Sequence, residues 1–180
     1  GVSGPNNITE IVNAGRARIQ GIESDVQWAL GDHLMLSASA TYLDAQLTTN
    51  SCQYVNPQFE CTIPGPPATP GDPPRDNFTL APAGSRLPVS PRLKFNAVAH
   101  YKFSLAGLDA YVQGALVHQS DVIPVLEVDS AALLGRQPAY TTVDLSFGVA
   151  HGNWTADLLV ENTTDELGEL SRYAPCAPSV

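Results

Sequence analysis

The sequence predicts an all-β fold, an antiparallel up-and-down meander of about six strands that forms part of a transmembrane β-barrel. Three observations predict it. Apolar and polar residues alternate with a period of two, the spacing of side chains along a strand. Connections run short, long, short, long, short, so an antiparallel sheet collects its short turns at one end and its long loops at the other, as membrane barrels do. Charged residues are 15% of 180, below the figure of about a quarter usual for soluble domains. No apolar run approaches the roughly 18 residues of a spanning helix.

The first strand runs from about Arg16 to Leu30. Ile22, Val26, Trp28 and Leu30 share one side with Ser24, while Glu23, Asp25 and Gln27 share the other. Gly31-Asp32 makes a tight turn, because Gly tolerates positive φ. The second strand, His33 to Asp44, sets Leu34, Leu36, Ala38, Ala40 and Tyr42 against Met35, Ser37, Ser39, Thr41 and Leu43. The stretch from Ala45 to Pro91 holds Pro64, Pro66, Pro67, Pro70, Pro73 and Pro74. Proline removes ladder donors, so no regular sheet is expected there. So long a loop counts against a compact soluble domain and is expected at the exterior end of a barrel.

The third strand, Leu93 to Phe103, sets Leu93, Phe95, Ala97, Ala99, Tyr101 and Phe103 against Lys94, Asn96, His100 and Lys102, with Val98 among the latter. A Lys facing lipid costs about 2–4 kcal/mol at the midplane. The apolar side of this strand therefore points outward. After a turn at Ser104 to Gly107, the fourth strand runs from Leu108 to Ser120. Its facing is ambiguous, since Tyr111, Ala115 and Val117 compete with Leu108, Ala110, Val112 and Leu116. A second long loop covers Asp121 to Pro138. The fifth strand, Tyr140 to Ala150, sets Val143, Leu145, Phe147 and Val149 against Asp144 and Ser146. His151-Gly152-Asn153 turns the chain into the sixth strand, Trp154 to Asn162. There Trp154, Ala156, Leu158 and Val160 oppose Thr155, Asp157 and Glu161, with Leu159 on the polar side. A polar tail follows to Val180. Trp28, Tyr42, Tyr101, Phe103 and Trp154 lie near strand ends, where aromatic rings suit a headgroup region.

A soluble β-sandwich also alternates, and composition alone favours it. The ordering of turn lengths reverses that preference. A net charge of −9 argues against nucleic acid as a partner, because phosphates would be repelled. The chain begins at Gly1 with no secretory signal, and so reads as a processed chain or an excised fragment. Cys52 and Cys61 stand nine residues apart in the Pro-rich loop. A local disulfide in an oxidising compartment is the leading reading, with two free thiols as the alternative. No Cys-x-x-Cys or clustered His supports zinc. His33, His100, His118 and His151 are scattered, and neither a His-Glu-x-x-His helix nor a Gly-x-Ser-x-Gly elbow is present. No catalytic, cofactor-binding or metal-ligating residues are assigned. The carboxylates Glu23 and Asp25 read as solvated charges rather than a catalytic pair.

Four segments in order resemble the TonB-dependent outer-membrane receptors. NAGRARIQGIESDVQW (Asn13 to Trp28) is similar to the basic, small-residue stretch that precedes Gly-Ile/Val-Glu in that family. LMLSASATYLDAQLT continues it with a strand ending in Tyr-x-Asp-Ala. SRLPVSPRLKFNAVAHYKF (Ser85 to Phe103) resembles its Leu-Pro-x-x-Pro lead-in to a strand. NWTADLLVENTTDE (Asn153 to Glu166) resembles its penultimate strand, with Thr163 where Leu is usual.

The resemblance implies that residues 1–180 are a partial barrel domain of about six of twenty-two strands, without the plug, the TonB-engaging motif and the aromatic-ended closing strand. It implies no enzymatic activity. It implies active import across the bacterial outer membrane of a scarce ligand, such as a ferric siderophore, cobalamin or a glycan. Its partners would be outer-membrane lipid, the plug of the same polypeptide, the imported small molecule and, through an N-terminal region, the TonB energy-coupling protein. The lumen-facing polar set would be Glu23, Asp25, Lys94, Asn96, Lys102, Asp144, Asp157 and Glu161. Cys176 would pair beyond Val180. A secreted β-sandwich binding carbohydrate or protein and a passive diffusion porin stand as alternatives.

Overall fold

A computed structural model describes residues 2–3, 9–10, 15–58 and 60–172. Cys176, and with it the expected pairing beyond the chain, lies outside the described residues. Six long strands form one antiparallel sheet: β1 (Ala17–Leu30), β2 (Leu34–Leu47), β3 (Leu93–Leu105), β4 (Leu108–Gln119), β5 (Tyr140–His151) and β6 (Trp154–Val160). Each neighbours the next in sequence order, so the sheet is an uninterrupted meander. Three small elements lie outside it. Ser51–Cys52 and Thr79–Ala81 make a short ribbon inside the first long loop, Val2–Ser3 pairs with Thr9–Glu10, and a seven-residue helix, α1 (Val128–Leu134), sits in the second long loop.

The turn end is made by short connections. The two-residue turn at Ala106 and Gly107 has positive φ at both positions, the mirror-image turn whose twist matches flanking strands. Gly152 opens the next turn with φ +57°, again at a place where an L side chain would be strained. The first turn differs from the expected Gly31-Asp32 pair. Leu30 pairs with Leu34, so His33 belongs to a three-residue turn rather than to β2. Parity explains this: a two-residue turn would pair Leu30 with His33 and bring the apolar set of β1 opposite the polar set of β2.

Other boundaries shift too. β2 continues past Asp44 to Leu47 and β3 past Phe103 to Leu105, whereas β6 stops at Val160. The pairing at the end of β2 is supplied by Arg18↔Gln46 and Ala17↔Leu47. These are backbone matters that a side-chain pattern does not report. The helix was not expected either. Seven residues are too few to show helical periodicity.

Register decides which residues share a face, because paired residues of antiparallel strands point the same way. Ile22↔Tyr42, Val26↔Ala38 and Trp28↔Leu36 continue into Leu36↔Ala99 and Ala38↔Ala97. Ala97↔Leu116, Tyr101↔Val112, Leu116↔Val143 and Val149↔Ala156 carry the same apolar face to the last strand. The fourth strand is thereby oriented: Leu108, Ala110, Val112 and Leu116 join the apolar face, and Tyr111, Ala115 and Val117 join the polar one.

Among the described residues nothing covers the apolar face. Ile22 is 72% exposed and Leu158 63%. Of the buried apolar residues among those described, Ala110 lies at the turn end, and Ala45, Leu47, Cys52, Ala81 and Val122 lie where the loops fold over the tip of β2. The molecule's core is therefore under its loops, not against its sheet. Among the described residues no second sheet faces the first, which a β-sandwich would require.

Candidate functional site

The polar face and the loop end together form the candidate site. On the polar face, rows of paired residues run across the sheet. Glu23, Thr41, Lys94 and Gln119 form one row, and Asp25, Ser39, Asn96 and Val117 the next. Lys102, Tyr111, Gly148 and Asp157 form a row near the turns, with Asp144 paired to Ala115 between these levels. Of the eight polar residues singled out from the sequence, seven stand on this face. Glu161 follows the last paired residue of β6. Next to it the Asn162 backbone N–H donates to Asp144 Oδ1 at 2.7 Å.

The polar face carries its own hydrogen-bond network. Ser39 Oγ donates to Asn96 Oδ1 at 3.0 Å. His100 Nδ1 lies 3.1 Å from Gln113 Oε1, and its ring stacks on Tyr111 at 4.9 Å between centroids. Tyr111 Oη donates to Asp157 Oδ1 at 2.8 Å, reaching across β5. That reach needs Gly148. A Cβ there would strike the Tyr111 ring and the Asp157 carboxylate, so the ring covers the bare backbone of a strand interior. Around these groups opens a hollow of about 500 Å³, lined by His33, His100, Lys102, Tyr111, Thr155 and Asp157 among others.

Tyr111 and Gly148 were not singled out from the sequence. The signal was present nonetheless. Any even-numbered turn after β3 puts Lys102 and Tyr111 on one face, and the lysines already define that face.

At the loop end the connections are tied together. Arg86 backbone-bridges Gln46 at the tip of β2. Its guanidinium, only 13% exposed, holds Asp121 Oδ2 at 3.2 Å and the Asp121 carbonyl at 3.1 Å. Arg136 reaches the same carboxylate oxygen at 2.6 Å. Partial burial pushes the Asp121 carboxyl upward, but the two guanidiniums outweigh it and hold it below the usual carboxylate range. Asp121 thus joins the first long loop to the second.

The buried side chain of Gln137 donates to the Glu169 carbonyl at 3.4 Å. Arg172 donates to the Leu134 carbonyl at the end of α1 and pairs with Glu169, whose carboxyl it lowers. These contacts tie the segment after β6 to the second loop. In the first loop Cys52 and Cys61 are joined, with Cα atoms 5.6 Å apart. Asn77 is buried, accepts from the Tyr54 N–H and donates to the Tyr54 and Thr62 carbonyls. A polar hollow of about 830 Å³ opens beside this loop, lined by Arg16, Thr48, Asn50, Gln58 and Glu60 among others. It offers donors and acceptors to a polar ligand. Among the described residues no cluster of His, Cys, Asp or Glu is placed to hold a metal ion.

A contrasting hollow of about 490 Å³ dips into the apolar face, where Ala38, Ala97, Ala99 and Gly114 lie between Trp28 and Leu116. It has almost nothing polar with which to orient a ligand. Trp28, Tyr101, Phe103 and Trp154 all lie on the apolar face toward the turn end, while Tyr42 and Phe95 lie toward the loop end.

No curated protein and no solved structure matches the chain. The family model described as TonB dependent receptor-like, beta-barrel matches residues 1–162. A one-layer antiparallel meander with one apolar face, one polar face, short turns at one end and long loops at the other is the architecture such a barrel requires. The chain belongs to the TonB-dependent receptor-like β-barrel family.

Proposed function

We propose that this chain forms part of the wall and exterior loops of an outer-membrane receptor that actively imports a scarce ligand, such as a ferric siderophore, cobalamin or a glycan. The family match over residues 1–162 carries the reading. In this reading the apolar face meets outer-membrane lipid, and Glu23, Asp25, Lys94, Asn96, Lys102, Asp144, Asp157 and Glu161 line a water-filled lumen occupied by the plug. The loop end is exterior. Its tied loops shape ligand access, and the polar hollow beside the disulfide loop supplies hydrogen-bonding groups to the incoming molecule. Energy reaches the receptor through TonB.

Uptake measurement tests this. In cells carrying the full-length protein, labelled candidate ligands from the three classes should accumulate, and accumulation should stop when TonB is removed. Uptake that persists without TonB would favour a passive porin. Recovery of the protein in a soluble fraction would overturn the membrane reading altogether.

A further inference from the structure

The first long loop returns to the wall beside the tip of β2. Arg86 bridges Gln46, the Leu87 N–H donates to the Ala45 carbonyl at 3.0 Å, and the Leu43 N–H donates to the Arg92 carbonyl at 2.8 Å. The short step along β2 from Ala45 to Leu43 is thus matched by a longer one along the returning arm, from Leu87 to Arg92. The surplus falls on Pro88, Val89, Ser90 and Pro91, which must fold outward between anchored ends. Proline fixes φ at Pro88 and Pro91, and a residue before proline is biased to extended backbone, which leaves Leu87 and Ser90 little room to bend. Val89 takes the reversal, with φ +54°. Among the described non-glycine residues at positive φ, Ala106 sits in a mirror-image turn, and Asn162 and Asp165 are types that enter this region readily. Val89 is the β-branched one, for which the conformation is an outlier. It is 65% exposed, so packing does not compensate. Its N–H does make a bond, donating to the Ile123 carbonyl of the second long loop at 2.9 Å. Arg86 clasps the same junction, holding Asp121 and reaching the Ser90 carbonyl at 3.4 Å. Strain persists only where surrounding contacts over-determine it, and here those contacts cross from one loop to the other.

We propose that Val89 is the strained half of a latch between the two long loops. The bond to Ile123 and the Arg86–Asp121–Arg136 clasp hold the latch shut. When the segment from Ile123 to Gly135 lifts away, the Val89 N–H is released and its backbone swings back to the ordinary negative-φ range. Below that segment the pairing of Val122 with Gln137 keeps the base of the loop closed, so the segment moves with α1 as a unit. The strain opposes closure. It brings the shut and lifted arrangements nearer in free energy than the contacts alone would, which is what a two-state element needs. The latch concerns the mechanics of the loop end, goes beyond the import reading and does not depend on which ligand is carried.

The test is hydrogen exchange in the full-length, detergent-solubilised protein, read on the amides of residues 123–135. Glycine in a loop ordinarily loosens it, because it widens the set of open conformations. Val89→Gly should do the opposite here. It accepts positive φ without strain, and should slow exchange of the segment about threefold. Val89→Asn, a type that tolerates the region, should slow it less. Val89→Ile keeps the β-branch and should leave it unchanged. Asp121→Asn should speed exchange roughly fivefold, and adding Val89→Gly to that variant should restore part of the protection. Barrel assembly is followed by heat-modifiable gel mobility. If Val89→Gly fails to assemble, Val89→Asn decides. Unchanged or faster exchange of the segment in an assembled Val89→Gly protein overturns the latch. Slowing confined to residues 84–92 would make the strain a fixed feature of the wall and overturns it too. The import reading stands or falls separately, on the uptake measurement.

Discussion

The sheet and the loops above it are held by different means. The sheet has a continuous ladder, almost no buried side chains and no ion pairs among the described residues. The loops have short, irregular backbone pairing, a small buried core, a disulfide and, among the described residues, the ion pairs. The difference fits the surroundings that the proposed receptor role gives each part. If the sheet lies in a bilayer as proposed, its ladder satisfies the backbone groups between neighbouring strands, as hydrocarbon demands, and its apolar face needs no protein partner there. Loops in water have no such support. They gain order from specific polar pins, each worth little alone.

Charge placed on the wall should have the largest effect. Leu116 and Val117 are neighbours in the loop-end half of β4 and point to opposite faces. If its face meets lipid, Leu116→Arg should cost up to the roughly 2–4 kcal/mol of a midplane Arg, and should strongly deplete the heat-modifiable species. Val117→Arg should assemble normally. Equal behaviour of the two would break the contrast between the faces.

The next effect is steric. Gly148→Val drives a branched side chain into the Tyr111 ring and the Asp157 carboxylate. Overpacking of this kind costs about 1–3 kcal/mol, so the gel transition should move to lower temperature. Tyr111→Phe keeps the ring and loses only the bond to Asp157, and should shift it less.

In the loops, effects should be smaller and local. Asp121→Asn removes the carboxylate shared by Arg86 and Arg136. The loss should be about 1 kcal/mol, or roughly a fivefold rise in loop cleavage by protease, with gel mobility unchanged. Acid should mimic it. The folded Asp121 carboxyl titrates lower than the unfolded one. Its contribution is therefore complete above the unfolded value of about 3.9 and disappears as pH falls through the lower folded value. Protease sensitivity of the unmodified loops should rise in that acidic window, and the Asn variant should show a smaller step, the remainder coming from Glu169, which Arg172 also holds low. Smallest of all, Cys52→Ser with Cys61→Ser should admit cleavage between these positions without altering the sheet. A collapse of barrel assembly in either loop variant would mean that wall and loops are not separately held.

Much of the wall was legible because its side chains report its geometry directly. The alternation in β2, β3 and β5 marked the strands, the lysines of β3 marked the polar side of that strand, and the order of turn lengths marked the two ends. β4 resisted because small or aromatic residues fall on both of its faces, so its pattern carries little contrast. The three-residue turn at His33 and the extra residues at the tip of β2 were hidden for another reason. Both depend on which backbone groups meet across the ladder. In the loops almost nothing was legible beyond the Cys52 and Cys61 pair. Arg86, Asp121 and Arg136 are far apart in sequence and follow no period.

By itself, then, the sequence determined strand content, faces, ends and family character, since these are set by period, charge and local turn chemistry. Only the tertiary structure decided how the loops close on one another and which residues of β1, β2 and β3 share a row. Those arrangements come from register between strands and from contacts across tens of residues, which no local pattern encodes.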